Sequence, residues 1–215
     1  MALIIELIII FLTGFAFNLI PFAGPSNLLI ASTVAIGLGN ADVTTLVIVG
    51  FLIALSAALA KGIHYMVTFF VSGHLSQKRQ ERLNADTHKI KKWAFLLLFL
   101  VAATPLPDEP VVIPLGLMKY SPMKFFSAYF LGKLTIAITG AFIGLEASKL
   151  FSGWFTPEEM FLLSIVLSII LTVVITIILL KVDLGKLSEK YLHRKRAQKK
   201  ETDQENPNKA QLGTQ

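Results

Sequence analysis

Residues Phe161–Leu180 run for 20 positions without a charge, and their only polar side chains are Ser and Thr. At 1.5 Å per helical residue, about 20 apolar residues match the ~30 Å hydrocarbon core of a bilayer. Leu46–Ala60 and Leu134–Leu145 are also uncharged, and each lies inside a longer apolar stretch. Composition points the same way: 54% of the 215 residues are hydrophobic and only 16% charged, where a soluble domain carries about 25% charged residues. The sequence predicts an all-α integral membrane protein with several crossings, not a soluble enzyme.

The rest of the chain sorts by charge and by proline. No basic region precedes the first apolar stretch, so that stretch reads as retained rather than as a cleaved leader. The chain has no Cys, which removes disulfides, thiolate metal sites and Cys nucleophiles together. The net charge of +6 is crowded into Gln77–Lys92 and Lys181–Lys200. In a membrane protein such tracts read as cytoplasmic loops facing anionic headgroups, not as nucleic-acid binders. This divides the chain into a membrane domain, residues 1–180, and a basic cytoplasmic tail, residues 181–215, whose last part has the composition of a disordered segment.

Two apolar stretches are broken by proline. Ala2–Leu19 leads into Pro21-Phe22-Ala23-Gly24-Pro25, and Trp93–Ala103 into Thr104-Pro105-Leu106-Pro107-Asp108-Glu109-Pro110. Proline removes a backbone donor and blocks helix continuation. Freed backbone groups cannot face lipid, so at membrane depth they must be buried in protein or line a wet cavity. The expected solution is a re-entrant helical hairpin. Residues 2–37 form one and residues 93–119 the other, although Ala2–Ile20 is long enough to cross alone. Full spans follow at 43–71, 123–146 and 160–180, with Ala147–Glu159 as a loop. Charge placement agrees: basic 72–92, Lys119, Lys124 and the tail fall on the cytoplasmic side only if 93–119 returns to the side it entered. Each half is then a hairpin followed by a span, and the hairpins enter from opposite sides. Such an inverted repeat points to a transport site where the interrupted segments meet.

Asp108 and Glu109 stand at the tip of the second hairpin. A carboxylate at bilayer depth costs about 2.5–3.5 kcal/mol on insertion scales, so two together call for a cation, a cavity or protonation. The functional reading is a proton or cation relay, or a group engaging a lipid headgroup; the bland one is a polar turn near the interface. Lys61 and His64, three residues apart on one helical face, and Lys133, ten residues into its span, are the candidate partners. Snorkelling toward the cytoplasmic interface competes for Lys61 and His64. Glu6 and Glu146 read as interfacial charges. Ser26 and Asn27 open the second half of the first hairpin, where free N–H groups favour an anion; Ser26 serves equally as an N-cap. Pro21, Gly24, Pro25, Pro105, Pro107, Pro110, Pro114 and Gly116 read as structural turn residues. HExxH, GxSxG and P-loop patterns are missing, so no catalytic residue, metal or cofactor is expected.

Ile20-Pro21-Phe22-Ala23-Gly24-Pro25-Ser26, Ala60-Lys61-Gly62-Ile63-His64-Tyr65, Ala103-Thr104-Pro105-Leu106-Pro107, Pro114-Leu115-Gly116-Leu117-Met118-Lys119-Tyr120 and Phe125–Lys133 together resemble the DedA, or VTT-domain (SNARE-associated), membrane proteins over roughly Leu12–Phe151. The resemblance implies two opposed re-entrant hairpins. It also implies lipid translocation, as flippase or scramblase of phospholipids or polyprenyl phosphates, with proton coupling in some members. The chain departs from that pattern where the family carries an acid after the first Pro-Gly turn (here Ser26 and Asn27) and arginines around the second (here Thr104, Asp108 and Glu109). A second resemblance is to small multidrug exporters. Alternative functions are therefore export of a small molecule or ion and a non-transporting role in membrane assembly. The expected partners are membrane lipids in the cytoplasmic membrane, with the C-terminus inside and room left for a homo-oligomer.

Overall fold

The structure, a computed structural model, describes residues 2–21, 24–39, 41–73 and 87–181. Among them it is all-helical: α1 Ala2–Leu19, α2 Asn27–Leu38, α3 Val43–Ser72, α4 Thr87–Ala102, α5 Glu109–Leu117, α6 Pro122–Phe151 and α7 Pro157–Lys181. The chain forms two compact units, Met1–Val173 and Val174–Gln215, and of the second only the last turns of α7 are described. Of the expected basic loop at 72–92, residues 74–86 lie outside the described residues, as does the tail beyond Lys181; residues 87–92 are helical and open α4 ahead of the expected start at Trp93. Two helices, α3 and α6, are each 30 residues long and apolar enough to cross a membrane.

Local chemistry explains most of the boundaries. Ser26 caps α2 by accepting from the Leu29 amide at 3.4 Å, and Gly39, at φ +65°, ends it. Asp42 caps α3, accepting from the Thr45 amide at 3.1 Å. Thr156 and Glu159 form a reciprocal capping box at the start of α7: Glu159 accepts from the Thr156 amide at 2.8 Å, and Thr156 Oγ1 accepts from the Glu159 amide at 3.3 Å. Helix α6 runs five residues beyond the expected loop boundary at Ala147, because no breaker precedes Ser152-Gly153. An exposed Glu146–Lys149 pair at 2.7 Å bridges that last turn.

Three of the expected turn residues are helical instead. Pro110 occupies the second position of α5, where an amide proton would have no helical partner, and Pro114 lies inside that helix. Gly116 is a contact position: a Cβ there would collide with Thr68 Oγ1 and meet the Tyr65 carbonyl oxygen at 2.9 Å. Pro21, Gly24 and Pro25 do lie between α1 and α2, as Pro105 and Pro107 lie between α4 and α5.

The directions of the helices follow from their contacts. Gly50 abuts Ile138 while the Tyr65 ring stacks on Phe125 at 4.2 Å, so α3 and α6 are antiparallel. Helix α1 runs parallel to α3, with Gly14 against Ser56 and the Leu19 carbonyl at His64. Helix α2 lies parallel to α6, where Gly140 and Gly144 admit the backbone of Leu28 and Ser32, and Ser32 Oγ donates to the Gly140 carbonyl at 2.7 Å. Helix α5 follows α3 from Lys61 to Thr68, and the end of α4 packs on Gly132. The α1–α2 pair therefore folds back from the Val43/Phe151 end of the α3–α6 pair, and α4–α5 from the Ser72/Pro122 end.

Two apolar cores result. One joins Ile30, Ala31 and Ala35 of α2 to Leu46, Val49 and Ile53 of α3 and Ala137, Ala141 and Leu145 of α6. The other joins Ala94, Leu98 and Ala102 of α4 and Val112 and Leu115 of α5 to Tyr65, Phe125, Ala128 and Tyr129. The main packing partners correspond when α1, α2, α3 are exchanged for α4, α5, α6, although α2 also packs on α3 more than α5 does on α6. The first helix of each pair lies on its own long helix, and the second lies on the long helix of the other half.

Candidate functional site

Lys61 and Lys133 occupy mirrored places on the two long helices. Lys61 stands 11 residues before the end of α3 and Lys133 stands 11 residues after the start of α6. Because the helices are antiparallel, both lie about 17 Å from the same end. Between them comes the first turn of α5, carrying Asp108 as N-cap and Glu109 as first helical residue. The proline-broken link that ends at Pro107 stops α4 and restarts the chain as α5 at this level, which delivers two carboxylates between two lysines.

The four side chains form one chain of contacts. Lys133 Nζ lies 2.9 Å from Asp108 Oδ2, Lys61 Nζ lies 3.5 Å from Asp108 Oδ1, and Lys61 Nζ also donates to Glu109 Oε1. None of the four residues is more than 5% exposed. Two ammonium groups and two carboxylates sum to zero, which is the condition for holding this many charges out of water. Tyr129, fully buried one turn before Lys133, donates its hydroxyl to Asp108 Oδ2. The Lys133 ammonium also sits 5.2 Å from the centre of the Tyr129 ring, within cation–π range. Among the described residues no buried side-chain nitrogen or oxygen lacks a hydrogen-bond partner.

Of the residues singled out from the sequence, Asp108, Glu109, Lys61 and Lys133 come together and His64 does not. One turn along α3 from Lys61, His64 Nε2 lies 3.0 Å from the Leu19 carbonyl at the end of α1. Helix α3 thus touches the second hairpin through Lys61 and the first through His64. Ser26 is occupied as a helix cap. Asn27 is buried in a reciprocal amide pair: Asn18 Nδ2 donates to Asn27 Oδ1 at 2.8 Å and Asn27 Nδ2 to Asn18 Oδ1 at 3.2 Å. Asn18 Nδ2 also reaches the Gly14 carbonyl at 2.8 Å. Neutral amides join the end of α1 to the start of α2, whereas ions tie the start of α5 to α3 and α6. Sequence reasoning missed Tyr129 because a tyrosine in an aromatic run looks like packing; its one signal is a position four residues before a lysine on the same face.

No group of three or more His, Cys, Asp and Glu side chains suited to a metal ion occurs among the described residues. Set beside known protein families, curated proteins and solved structures, the chain matches none.

Proposed function

We propose that the chain is a multi-pass protein of the cytoplasmic membrane that moves lipid between leaflets, with the Lys61–Glu109–Asp108–Lys133 cluster as its gate. The observation that carries this reading is the cluster itself: four charges, sealed and neutral, where a broken helix meets two long antiparallel helices. Centred in a ~30 Å hydrocarbon layer, 45 Å helices would put these charges about 9 Å below its surface. Ionisable residues at that depth are by default functional. In this reading α1–α2 and α4–α5 are opposed re-entrant hairpins, α3, α6 and α7 are the full spans, and the halves form an inverted repeat. The exposed apolar residues of α1, α3, α4 and α7, from Ile4 to Ile177, then face lipid. Glu6, Asp42, Glu146, Glu158 and Glu159, with Lys149, gather toward the Val43/Phe151 end and Lys119 and Lys124 toward the other. The positive-inside rule makes that second end cytoplasmic.

Gating follows from charge balance. A proton on Asp108 or Glu109 leaves the lysines one charge in excess. An anionic headgroup restores neutrality and loss of the proton expels it, so each cycle needs carboxylates that titrate and couples opening to a lipid of the class the DedA resemblance implies. The test is reconstitution in vesicles with fluorescent lipid in both leaflets. Wild-type protein should expose the inner-leaflet pool to an impermeant quencher, and Asp108→Asn plus Glu109→Gln should slow this to the protein-free rate. Drug or ion flux without lipid movement would make the chain an exporter. The completeness of the charge pairing favours one other reading, an assembly factor whose ions only lock helices, and full activity of that double variant in cells would select it.

A further inference from the structure

Asp108 is held unequally from its two sides. Toward α6, Oδ2 takes both Lys133 Nζ, at 2.9 Å, and the Tyr129 hydroxyl; toward α3, Oδ1 meets Lys61 Nζ only at 3.5 Å. Tyr129 touches both members of the α6 pair, its hydroxyl on the acid and its ring beneath the ammonium. The ring is itself fixed: it stacks on Phe125 at 5.8 Å, and Phe125 stacks on Tyr65, whose hydroxyl donates to the Tyr120 carbonyl. The charged or titratable groups facing Asp108 are Lys61 from α3, Lys133 and Tyr129 from α6, and Glu109 beside it. Residues 93–102 of α4 bring none.

We propose that Tyr129 is a positioning residue for the transport step: its hydroxyl keeps Asp108 on Lys133 while Lys61 exchanges its carboxylate contacts for a headgroup, with α5 still packed along α3. This rests on the reading of the cluster as a gate. An O–H donor to a carboxylate favours the ionised form, so the hydroxyl also sets the pH at which Asp108 lets go of Lys133.

Tyr129→Phe removes that oxygen and keeps the ring, its stacking and its place under Lys133. Tyr65→Phe removes a second buried hydroxyl from the same aromatic ladder without touching the cluster, and is the control. Lipid transport is measured against pH for both. Tyr129→Phe should move the acid limb of the profile up by about one pH unit, the size expected for one charge-assisted hydrogen bond, and Tyr65→Phe should leave it in place. Equal movement in both variants, or none in Tyr129→Phe, overturns the proposal. The infrared band of protonated Asp108, assigned by its loss in Asp108→Asn, reads the same shift in protein that transports nothing. A wild type without lipid transport but with a Tyr129-dependent band would overturn the gate and keep the positioning role. A band that titrates identically in wild type and Tyr129→Phe would overturn the positioning role whatever the transport result.

Discussion

A lysine eleven residues into an apolar helix must either reach an interface or find a carboxylate. Lys133 finds Asp108 at 2.9 Å, and the pairing makes each charge conditional on the others. Removing one partner leaves an uncompensated buried charge, which costs about 3–5 kcal/mol. Lys133→Met should therefore destabilise the protein by that amount, read as thermal unfolding in detergent. Adding Asp108→Asn leaves Lys61 facing Glu109 and should recover most of the loss; a double variant no better than the single would show that charge balance is not what the site requires. Lys119 is a separate case. It is the only residue other than glycine with positive φ among the described residues, at 51°. It closes α5 in a Schellman motif, with the Tyr120 amide on the Leu115 carbonyl and its own amide on that of Gly116, both at 3.0 Å. Left-handed backbone costs a side-chain-bearing residue about 1 kcal/mol, so Lys119→Gly should raise stability by up to about 1 kcal/mol in the same assay. The four charges of the cluster stand out in the sequence because charge is rare there. Their pairing does not, because residues 61, 108 and 133 meet only through the return of α5 onto α3.

Helix ends and crossings show the same division. The capping chemistry of Asp42 and of Thr156–Glu159 is readable as D-x-x-T and T-x-x-E. Hydrogen bonds from Thr45 hold the Asp42 carboxyl below its ordinary value, and those from Thr156 do the same for Glu159. A lowered folded-state pKa contributes stability above the unfolded pKa and loses it as pH falls through the folded one. Helix content by circular dichroism should therefore drop below about pH 4, and Asp42→Ala with Glu159→Ala should flatten that drop. The α2–α6 crossing depends on Gly140 and Gly144, where a methyl group would meet the carbonyl oxygens of Leu28 and Ser32. Overpacking of this kind costs about 1–3 kcal/mol. Gly140→Ala should lower the melting temperature, whereas Gly62→Ala, with open space around it, should not.

At the scale of the whole molecule, α3 and α6 hold one pair of helices at each end. If they span as proposed, thiol labelling in this Cys-free chain should show Ala41→Cys and Lys149→Cys reacting from one face of the membrane and Ser121→Cys from the other. Labelling of positions 121 and 149 from the same face would remove α6 as a span. In each half the first helix of the pair lies on its own long helix and the second mainly on the other, so the two pairs hold related places with different chemistry. The Asn18–Asn27 pair joins α1 to α2 with neutral hydrogen bonds, and the charged cluster ties α5 to α3 and α6.

Apolar runs, prolines and scarce charges were enough to determine an all-helical chain, its two broken segments and the residues too costly to bury alone, because each of these is a local cost that the backbone or side chain carries wherever it lies. Which charge meets which, the diversion of His64 to the Leu19 carbonyl, the use of Asn27 as an internal clamp and the part of Tyr129 were decided by the tertiary structure. Those outcomes depend on the level along α3 and α6 at which each returning helix docks. Glycine contacts such as Gly140 with Leu28 and Gly116 with Thr68 set that level, and no spacing within a single helix encodes it.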